Sequence, residues 1–403
     1  MNREERILDA VERWRQCNGR GCLQFPSRLG NLIILKVVEL FLSKNPTAEV
    51  IIGTPSKASQ YQWYSLLLDK GLYGKCKVYT FEYIIKYIKK TPLLILDEVQ
   101  KSLSSSYKEI YTLPFKYFLG MSPLVERSDN KHISLLRMYP LLDSCSKEEA
   151  IANKWLDDYK EYKVVIDVDD FSVYKESDAK FNNYLRFFNY DFNLALECVK
   201  KKETRYSLAS FKSCKIDLVN ACTFGFNREL KKKIQFVQSH PKKIALAKRI
   251  LDSRTSSKAI IFSPTIEISK EFEGIYYNSS MKSRERAHNL SRFQGSYYGT
   301  LSAVESIPAG IDLKGCNLAI MLCNNSSFTT KEKKLERILC NNKEKLSEAF
   351  TFVIKNSIDE EWFRRSTRDN DYITITEKML DKVLRGEDIL EERIEGPVML
   401  NNY

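Results

Sequence analysis

The sequence predicts an α/β protein with two lobes, each a doubly wound parallel sheet, and a mostly helical segment that links them or is inserted between them. Short, almost continuously apolar runs alternate with helical patterns near both ends of the chain, as expected for parallel strands covered on both faces. The alternation stops in the middle, which is charged and rich in Tyr and Phe. We therefore predict a first lobe (1–125), a helical linker or insertion (126–240), a second lobe (241–375) and a helical tail (376–403).

The first lobe contains five strand candidates. Helical patterns such as NLIILKVVELFLSK (31–44) separate them, which predicts βαβ units. The candidates are GCLQF (21–25), AEVIIGTP (48–55), KCKVYTF (75–81), LLILDEV (93–99) and YFLGMS (117–122).

The second lobe repeats this organisation after a middle segment with only one strand candidate, YKVVIDV (162–168). A second sheet of the same kind is therefore expected. Its strand candidates are KAIIFSP (258–264), GIYYNSS (274–280), GTLSAVES (299–306), NLAIMLC (317–323) and AFTFVIKN (349–356).

The charge balance favours a polyanionic partner. The 403 residues include 64 Lys and Arg against 52 Asp and Glu, a formal net charge of +12. Such an excess is typical of proteins that bind nucleic acid, although many basic proteins bind none. DNA or RNA is therefore a candidate partner.

Several other classes are disfavoured. The ten cysteines form no CxxC pair and no His cluster accompanies them, so we expect buried free thiols and no metal site. The three histidines lie near no apparent nucleophile, which disfavours hydrolase triads. The first residues predict a charged amphipathic helix rather than a signal peptide, and no apolar run is long enough to cross a membrane. We therefore expect a soluble, cytoplasmic protein.

The most informative motif is LLILDEVQK (93–101). Four apolar residues lead into Asp97 and Glu98 at the carboxyl end of a predicted buried strand. Carboxylates in that place can hold magnesium and orient a water at a nucleotide phosphate. Two acids that merely end a strand would give the same pattern, so the motif alone does not distinguish a nucleotide site from a structural strand end.

The order of eight motifs adds a family resemblance. From about residue 5 to 370 the chain resembles superfamily 2 (DEAD/DEAH-type) helicases, with 126–240 carried only by position. The matching segments are GRGCLQFPSRLGN (19–31), IIGTPSKASQYQW (51–63), LLILDEVQK (93–101), FLGMSPL (118–124), KAIIFSPT (258–265), YNSSMKSRERAHNLSRFQG (277–295), VESIPAGIDLKGCNLAIML (304–322) and FVIKNSIDEEWFRRS (352–366). The resemblance implies two RecA-like lobes. It is nearest to the compact helicases of phages and other DNA viruses, and so implies a host-cell cytoplasm.

The resemblance fails at the phosphate-binding loop. A working loop ends in Gly-Lys-Ser or Gly-Lys-Thr, whose lysine neutralises phosphate charge and whose hydroxyl binds magnesium. Here Gly30 is kept, but Asn31 replaces the lysine and Leu32 replaces the hydroxyl residue. Leucine cannot coordinate a hard cation. Arg28 is an alternative phosphate ligand, but it lies three residues early.

Two other nucleotide motifs have changed as well. In the arginine-finger segment Arg337 is kept, while Lys334 and Cys340 replace two arginines. In the motif after the third strand of the second lobe, Gly310 and Asp312 remain and Ala309 replaces a glutamate. Concerted changes of this kind favour a protein that has lost ATP hydrolysis. We therefore expect no cofactor, or ATP and Mg²⁺ if the chain is active.

The segments that resemble nucleic-acid contacts are better preserved. The resemblance assigns phosphate contacts to Pro55, Ser56, Ser263 and Thr265, and hydroxyls at strand ends suit that role. Three hypotheses remain open. The chain is an ATPase-deficient nucleic-acid-binding scaffold or accessory subunit of a replication, recombination or transcription complex; an active, atypical helicase or translocase; or a structural component of an assembly with no nucleic-acid role.

Overall fold

The computed structural model of the chain describes residues 1–127, 129–156, 158–207, 215–304, 307, 313, 315–335, 338, 346–367, 372–387 and 389. The chain divides into two compact units. Unit 1 is made of residues 1–159, 306–318 and 332–347, and unit 2 of residues 160–305, 319–331 and 348–403. Each unit is built on one sheet.

Unit 1 has a six-stranded sheet whose strands are all parallel, in the order β3-β2-β4-β5-β1-β6. The strands are β1 (Arg20–Gln24), β2 (Val50–Thr54), β3 (Cys76–Thr80), β4 (Thr91–Asp97), β5 (Phe115–Ser122) and β6 (Leu141–Ser144). The helices are α1 (Arg3–Gln16), α2 (Ser27–Lys44), α3 (Lys57–Asp69), α4 (Phe81–Tyr87), α5 (His132–Met138) and α6 (Lys147–Ala152), with 3-10 turns at Val99–Leu103 and Ser105–Thr112.

The burial of β4 explains why the strands read as continuous apolar runs. Leu93 and Ile95 enter one buried cluster, which includes Trp14 and Trp63. Leu94 and Leu96 enter the cluster on the opposite face. Because side chains alternate across a strand and both faces are covered, every position must be apolar. The doubly wound prediction is confirmed for this unit.

Unit 2 has a seven-stranded sheet in the order β13-β7-β12-β11-β8-β10-β9. The strands are β7 (Tyr159–Ile166), β8 (Lys258–Ser263), β9 (Ile275–Tyr277), β10 (Gly299–Val304), β11 (Leu318–Met321), β12 (Ser347–Ile354) and β13 (Ile373–Thr376). The helices are α7 (Ser172–Phe187), α8 (Phe192–Lys200), α9 (Lys202–Ser207), α10 (Ile216–Gln238), α11 (Pro241–Ser253), α12 (Ile266–Ser269), α13 (Ser283–Gly295), α14 (Phe328–Leu335), α15 (Ile358–Thr367) and α16 (Glu377–Arg385). All five strands predicted for the second lobe are present in this sheet.

The segment predicted as a linker, 126–240, is more divided than its helical pattern indicated. β6 pairs with β1 in the first sheet, and β7 pairs with β13 in the second. The short helices α5 and α6 lie before β7, and the longer helices of the segment follow it. There Phe181 of α7 packs on Phe226 of α10 with ring centroids 5.1 Å apart. The boundaries at 125 and 240 stay predictions. The structure places the change of unit at 159/160.

The cysteines, the potential metal ligands and the helix lengths bear on the disulfide, metal-binding and membrane classes. Among the described residues, five of the cysteines are buried and form no disulfide, as in Cys22 and Cys76, whereas Cys17 is exposed. No group of three or more potential metal ligands occurs within the described ranges. None of the described helices has the length and apolar character needed to cross a membrane.

Candidate functional site

The connection between β1 and α2 occupies the place of the expected phosphate-binding loop. β1 ends at Gln24 and α2 begins at Ser27, so only Phe25 and Pro26 lie between them. The backbone N–H of Gly30 donates a hydrogen bond of 2.9 Å to the carbonyl oxygen of Pro26. The residues that align with the loop therefore form the first turn of a helix, and the connection contains no glycine.

The first turn of α2 packs against the carboxyl end of β5. Gly30 is buried, and a Cβ atom at this position would lie 3.0 Å from Sδ and 3.1 Å from Cγ of Met121. The N–H of Phe25 donates to the carbonyl oxygen of Ser122 at 3.0 Å. The packing alone accounts for a glycine at position 30, because even a methyl group would press on Met121. A role in phosphate binding is not needed to explain it. Asn31 and Leu32 follow in the helix and are half-buried.

Asp97 lies at the carboxyl end of β4, as predicted, and it has a partner. The indole Nε1 of Trp63, a fully buried residue of α3, donates a 2.9 Å hydrogen bond to Oδ2 of Asp97. Burial, followed by repulsion from Glu98, raises the pKa of Asp97 to about 6. The hydrogen bond from Trp63 opposes this rise. Near neutral pH a larger fraction of Asp97 is therefore protonated than of an ordinary aspartate.

Glu98 is held by two cations. Its backbone is left-handed, with φ 52°, an unusual conformation for a residue with a side chain. The carboxylate, 8% exposed, accepts a 2.8 Å hydrogen bond from Nζ of Lys333 and forms an ion pair with Lys101. Burial acts to raise the pKa of Glu98, but the two ammonium groups outweigh it and lower the pKa. Glu98 therefore stays ionised.

The two carboxylates differ from a ready magnesium site. Oxygen ligands for Mg²⁺ need free lone pairs and usually leave several coordination positions to water. Asp97 already accepts from Trp63, and Lys333 and Lys101 neutralise Glu98. A cation would have to compete with two ammonium groups at Glu98.

The predicted nucleic-acid residues lie at strand ends in both units. In unit 1, Pro55 and Ser56 follow β2, and the hydroxyl of Ser56 caps α3 by accepting from the N–H of Ser59 at 3.2 Å. In unit 2, Thr265 caps α12 by accepting from the N–H of Ile268 at 3.3 Å. Both hydroxyls therefore have a structural role, since each caps the amino-terminal end of a helix.

Ser263 differs from the other three. It is the last residue of β8 and has no exposed surface. Its hydroxyl lies 3.2 Å from the hydroxyl of Ser302 on the neighbouring strand. A phosphate cannot reach the Ser263 side chain without a rearrangement, so its assigned contact remains a prediction that this geometry does not favour.

Some candidates fall outside the described residues, and some contacts were not foreseen. Gly310, Asp312 and Arg337 lie outside the described ranges. The sequence did not assign a role to Trp63 or Lys101, although both stand inside quoted motifs. The role of Trp63 depends on a tertiary contact with Asp97, 34 residues further along the chain, which no local pattern reveals. Lys101 lies only three residues after Glu98, and its pairing is local.

Comparisons with known proteins bear on the fold. Residues 242–352 match the family model described as the helicase conserved C-terminal domain. A structure similar to the chain is that of the Hef helicase domain of Pyrococcus furiosus, with a TM-score of 0.52 and 15% sequence identity over 89% of this chain and 97% of that one. A search of curated proteins gave no match. The two parallel-sheet units therefore form a RecA-like, helicase-like fold.

Proposed function

We propose that this helicase-like chain binds nucleic acid without hydrolysing ATP, and that it acts as a scaffold or accessory subunit in viral DNA replication, recombination or transcription. The observation that carries the proposal is the two-residue connection from β1 into α2. A phosphate-binding loop surrounds the phosphates with backbone N–H groups of successive loop residues. Here the N–H of Gly30 is already used within the helix.

The side chains around this connection support the same proposal. Asn31 carries no charge, so it cannot neutralise a terminal phosphate. Loss of a hydrogen bond to a charged group costs on the order of 1.5–3 kcal/mol. Removal of one preorganised group that stabilises the transition state lowers the rate roughly 100- to 1000-fold. Lys333 and Lys101 also form ion pairs with the carboxylate of Glu98. The chain therefore lacks both a cation for the terminal phosphate at position 31 and a free carboxylate at position 98.

Nucleic-acid binding rests on charge, fold and position. The chain carries a net charge of +12. In unit 1, Pro55 and Ser56 begin the connection from β2 to α3, and exposed Lys57 follows them. A lysine beside a helix amino terminus suits a phosphate, because the helix dipole and the ammonium group act in the same direction. The viral setting rests on the resemblance to compact phage helicases alone.

Nucleotide turnover is the first test. We expect the purified chain, with Mg–ATP and single- or double-stranded DNA, to release phosphate no faster than its Asp97→Ala/Glu98→Ala double variant. Calorimetry with a non-hydrolysable ATP analogue, with and without magnesium, should show no binding. Hydrolysis that depends on magnesium and DNA and disappears in the double variant would instead support the active, atypical helicase.

Salt-dependent DNA binding is the second test. We expect a gel shift with single- or double-stranded DNA that weakens as salt rises, because each phosphate contact releases counterions and contributes about −0.9 to the slope of log K against log salt on duplex DNA. Absence of binding even at low salt would favour the structural component with no nucleic-acid role.

A further inference from the structure

A second candidate site lies at the edge of the first sheet where the strands begin. The structure has there a cavity of about 520 Å³, which we call the amino-edge pocket. It is bounded by the carboxyl-terminal ends of α1 and α2 and by the starts of β1 and β5. All its lining residues belong to unit 1. Asp97 and the connection after Gln24 lie at the opposite, carboxyl edge of the same sheet, so the pocket is separate from the candidate nucleotide site.

The walls of the amino-edge pocket are apolar and fixed. Trp14 is anchored by its indole, which donates a 2.9 Å hydrogen bond to the carbonyl oxygen of Phe118. The rings of Phe41 and Tyr117 meet edge to face, with centroids 5.6 Å apart. A pocket whose walls already stand in place binds a ligand with a smaller entropic cost.

Gly19 keeps this space open. It has φ +65°, which favours glycine, and a Cβ atom there would lie 2.7 Å from Cδ1 of Tyr117 and 3.3 Å from Cζ2 of Trp14. A side chain at this position would displace both rings. The glycine therefore allows both aromatic rings to pack closely against the backbone at this position.

The rim of the pocket is positively charged. Four exposed cations line it, namely Arg15, Arg20, Lys44 and Lys116, and no Asp or Glu does. Arg15 and Lys44 lie in the last turns of α1 and α2, where a cation stabilises a helix end. Arg20 and Lys116 lie on strands, so helix stabilisation does not account for them.

These rim charges are poorly compensated. Within the described part of the chain, Arg20, Lys44 and Lys116 take part in no ion pair, and Arg15 pairs only with half-exposed Glu12, at 2.7 Å. Arg20 is held by neutral groups. It donates to the carbonyl oxygen of Lys116 at 3.2 Å and packs on the ring of Phe115. Three of the four cations around the apolar cavity therefore have no ion-pair partner among the described residues.

We propose that the amino-edge pocket binds a segment of a partner protein in which one large apolar side chain is flanked by Asp and Glu residues. The volume lies within the roughly 300–1,000 Å³ typical of binding pockets, and buried anchors in such pockets dominate the affinity of interfaces. The cations stand on four separate elements. A peptide with several carboxylates can pair with all of them, whereas a small ligand with one anionic group cannot. The proposal does not depend on the proposed function, because it uses the other edge of the sheet.

A peptide array on the full chain tests the proposal. The probes are short peptides in which Trp, Phe, Leu or Met is flanked on both sides by Asp and Glu. Two matched arrays replace the apolar residue by Gly, or the acids by Lys. We expect binding to the first array only. The best peptide, labelled with fluorescein, then gives a dissociation constant from fluorescence anisotropy.

Two double variants locate the binding. Lys44→Glu/Lys116→Glu reverses two rim charges, and we expect it to weaken the labelled peptide roughly tenfold or more. Lys70→Glu/Lys75→Glu makes the same charge change at exposed positions of unit 1 outside the pocket, and we expect the affinity to stay within about threefold of the original. Circular dichroism checks that both variants are folded.

Four outcomes would overturn the proposal. The first is that no peptide of the acidic array binds. The second is an equal loss in both double variants, which would indicate general electrostatic attraction. The third is that 8-anilinonaphthalene-1-sulfonate binds the pocket while the acidic peptides do not displace it, which would indicate a site for small anions. The fourth is self-association of the chain that the rim variant abolishes, which would identify a second copy as the occupant.

Discussion

The indole of Trp63 donates a 2.9 Å hydrogen bond to Oδ2 of Asp97, so an aromatic side chain contacts the carboxylate that a helicase-type motif would present to magnesium. Trp63 is fully buried, on the face of the sheet that α2 and α3 cover. The core of unit 1 and the candidate site therefore share one residue. The consequences concern stability as well as nucleotide binding.

The Asp97→Asn variant should stabilise the chain at neutral pH. Burial raises the pKa of Asp97 from an ordinary 3.8 to about 6, so the folded state binds a proton that the unfolded state releases. The contribution of Asp97 to stability is therefore full below about pH 4 and falls as pH rises from about 4 to 6, by about 3 kcal/mol at most. Asn can still accept from Trp63 and carries no charge.

Urea unfolding of the original chain and the Asp97→Asn variant at pH 4.5 and pH 7.5 measures this effect. We expect the advantage of the variant to grow by about 1–3 kcal/mol between the two values. Asp69→Asn, at an exposed position of α3, is the control and should give no such growth. A pH-independent difference would contradict the raised pKa.

Lys333→Met should destabilise unit 1 more than Lys101→Met, although both lysines pair with Glu98. The Lys333 side chain is 23% exposed and the Lys101 side chain 45%. Loss of a hydrogen bond to a nearly buried carboxylate costs about 1.5–3 kcal/mol, whereas an exposed ion pair contributes about 0–1 kcal/mol. Denaturant unfolding at pH 7 gives both values.

The pH dependence provides the check on Lys333. The lysines lower the pKa of Glu98 below its ordinary 4.5, so their stabilisation is present above that value and is lost as pH falls through the folded-state pKa. The cost of Lys333→Met should therefore shrink in acid, and it should nearly vanish when Glu98→Gln is already present. An equal cost in both backgrounds would mean that Lys333 acts through other contacts.

Restoring the missing side chains should not restore hydrolysis. The Asn31→Lys/Leu32→Thr variant regains the residue types of a working loop, but α2 begins at Ser27, so both positions lie inside the helix. The N–H of Gly30 would still bond to Pro26. We expect phosphate release to stay at the level of the Asp97→Ala/Glu98→Ala double variant. Magnesium-dependent turnover would show instead that only the side chains were lacking.

Much of the fold was predictable because both faces of each sheet are buried. All ten strands predicted in the two lobes are present, as is β7, since continuous apolar runs are the signature of such strands. β6 was missed. It is a four-residue edge strand whose ends, Leu141 and Ser144, are exposed, so its sequence shows no long apolar run. β13, also at an edge, was missed for a similar reason.

The candidate site was less predictable. The sequence located Asp97 and Glu98 at a strand end, because that follows from local pattern. It revealed the loss of charge at Asn31 but not that α2 already begins at Ser27. It also did not reveal that Gly30 packs closely against Met121 of another element. Lys333 is 235 residues from Glu98 along the chain. Only the folded structure brings such partners together.

Reversing the charge of Lys57 should weaken DNA binding more than reversing that of Lys70. Lys57 is the first residue of α3, next to Ser56, and Lys70 follows its last residue; both are exposed. The two variants Lys57→Glu and Lys70→Glu thus make the same change at opposite ends of one helix. If DNA phosphates lie near the Pro55–Ser56 turn, only Lys57→Glu removes a contact with a phosphate and adds repulsion between the new carboxylate and the DNA.

We expect Lys57→Glu to weaken binding roughly tenfold and to lower the slope of log K against log salt by about 1, with Lys70→Glu within about threefold of the original. Misfolding cannot make Lys57→Glu lose more DNA binding than Lys70→Glu. An acid at the amino end of α3 stabilises the helix, whereas an acid at its carboxyl end does not. Gel shifts on one DNA fragment at several salt concentrations measure both quantities. Equal losses in the two variants would place the DNA elsewhere on the protein and remove Ser56 from the proposed interface.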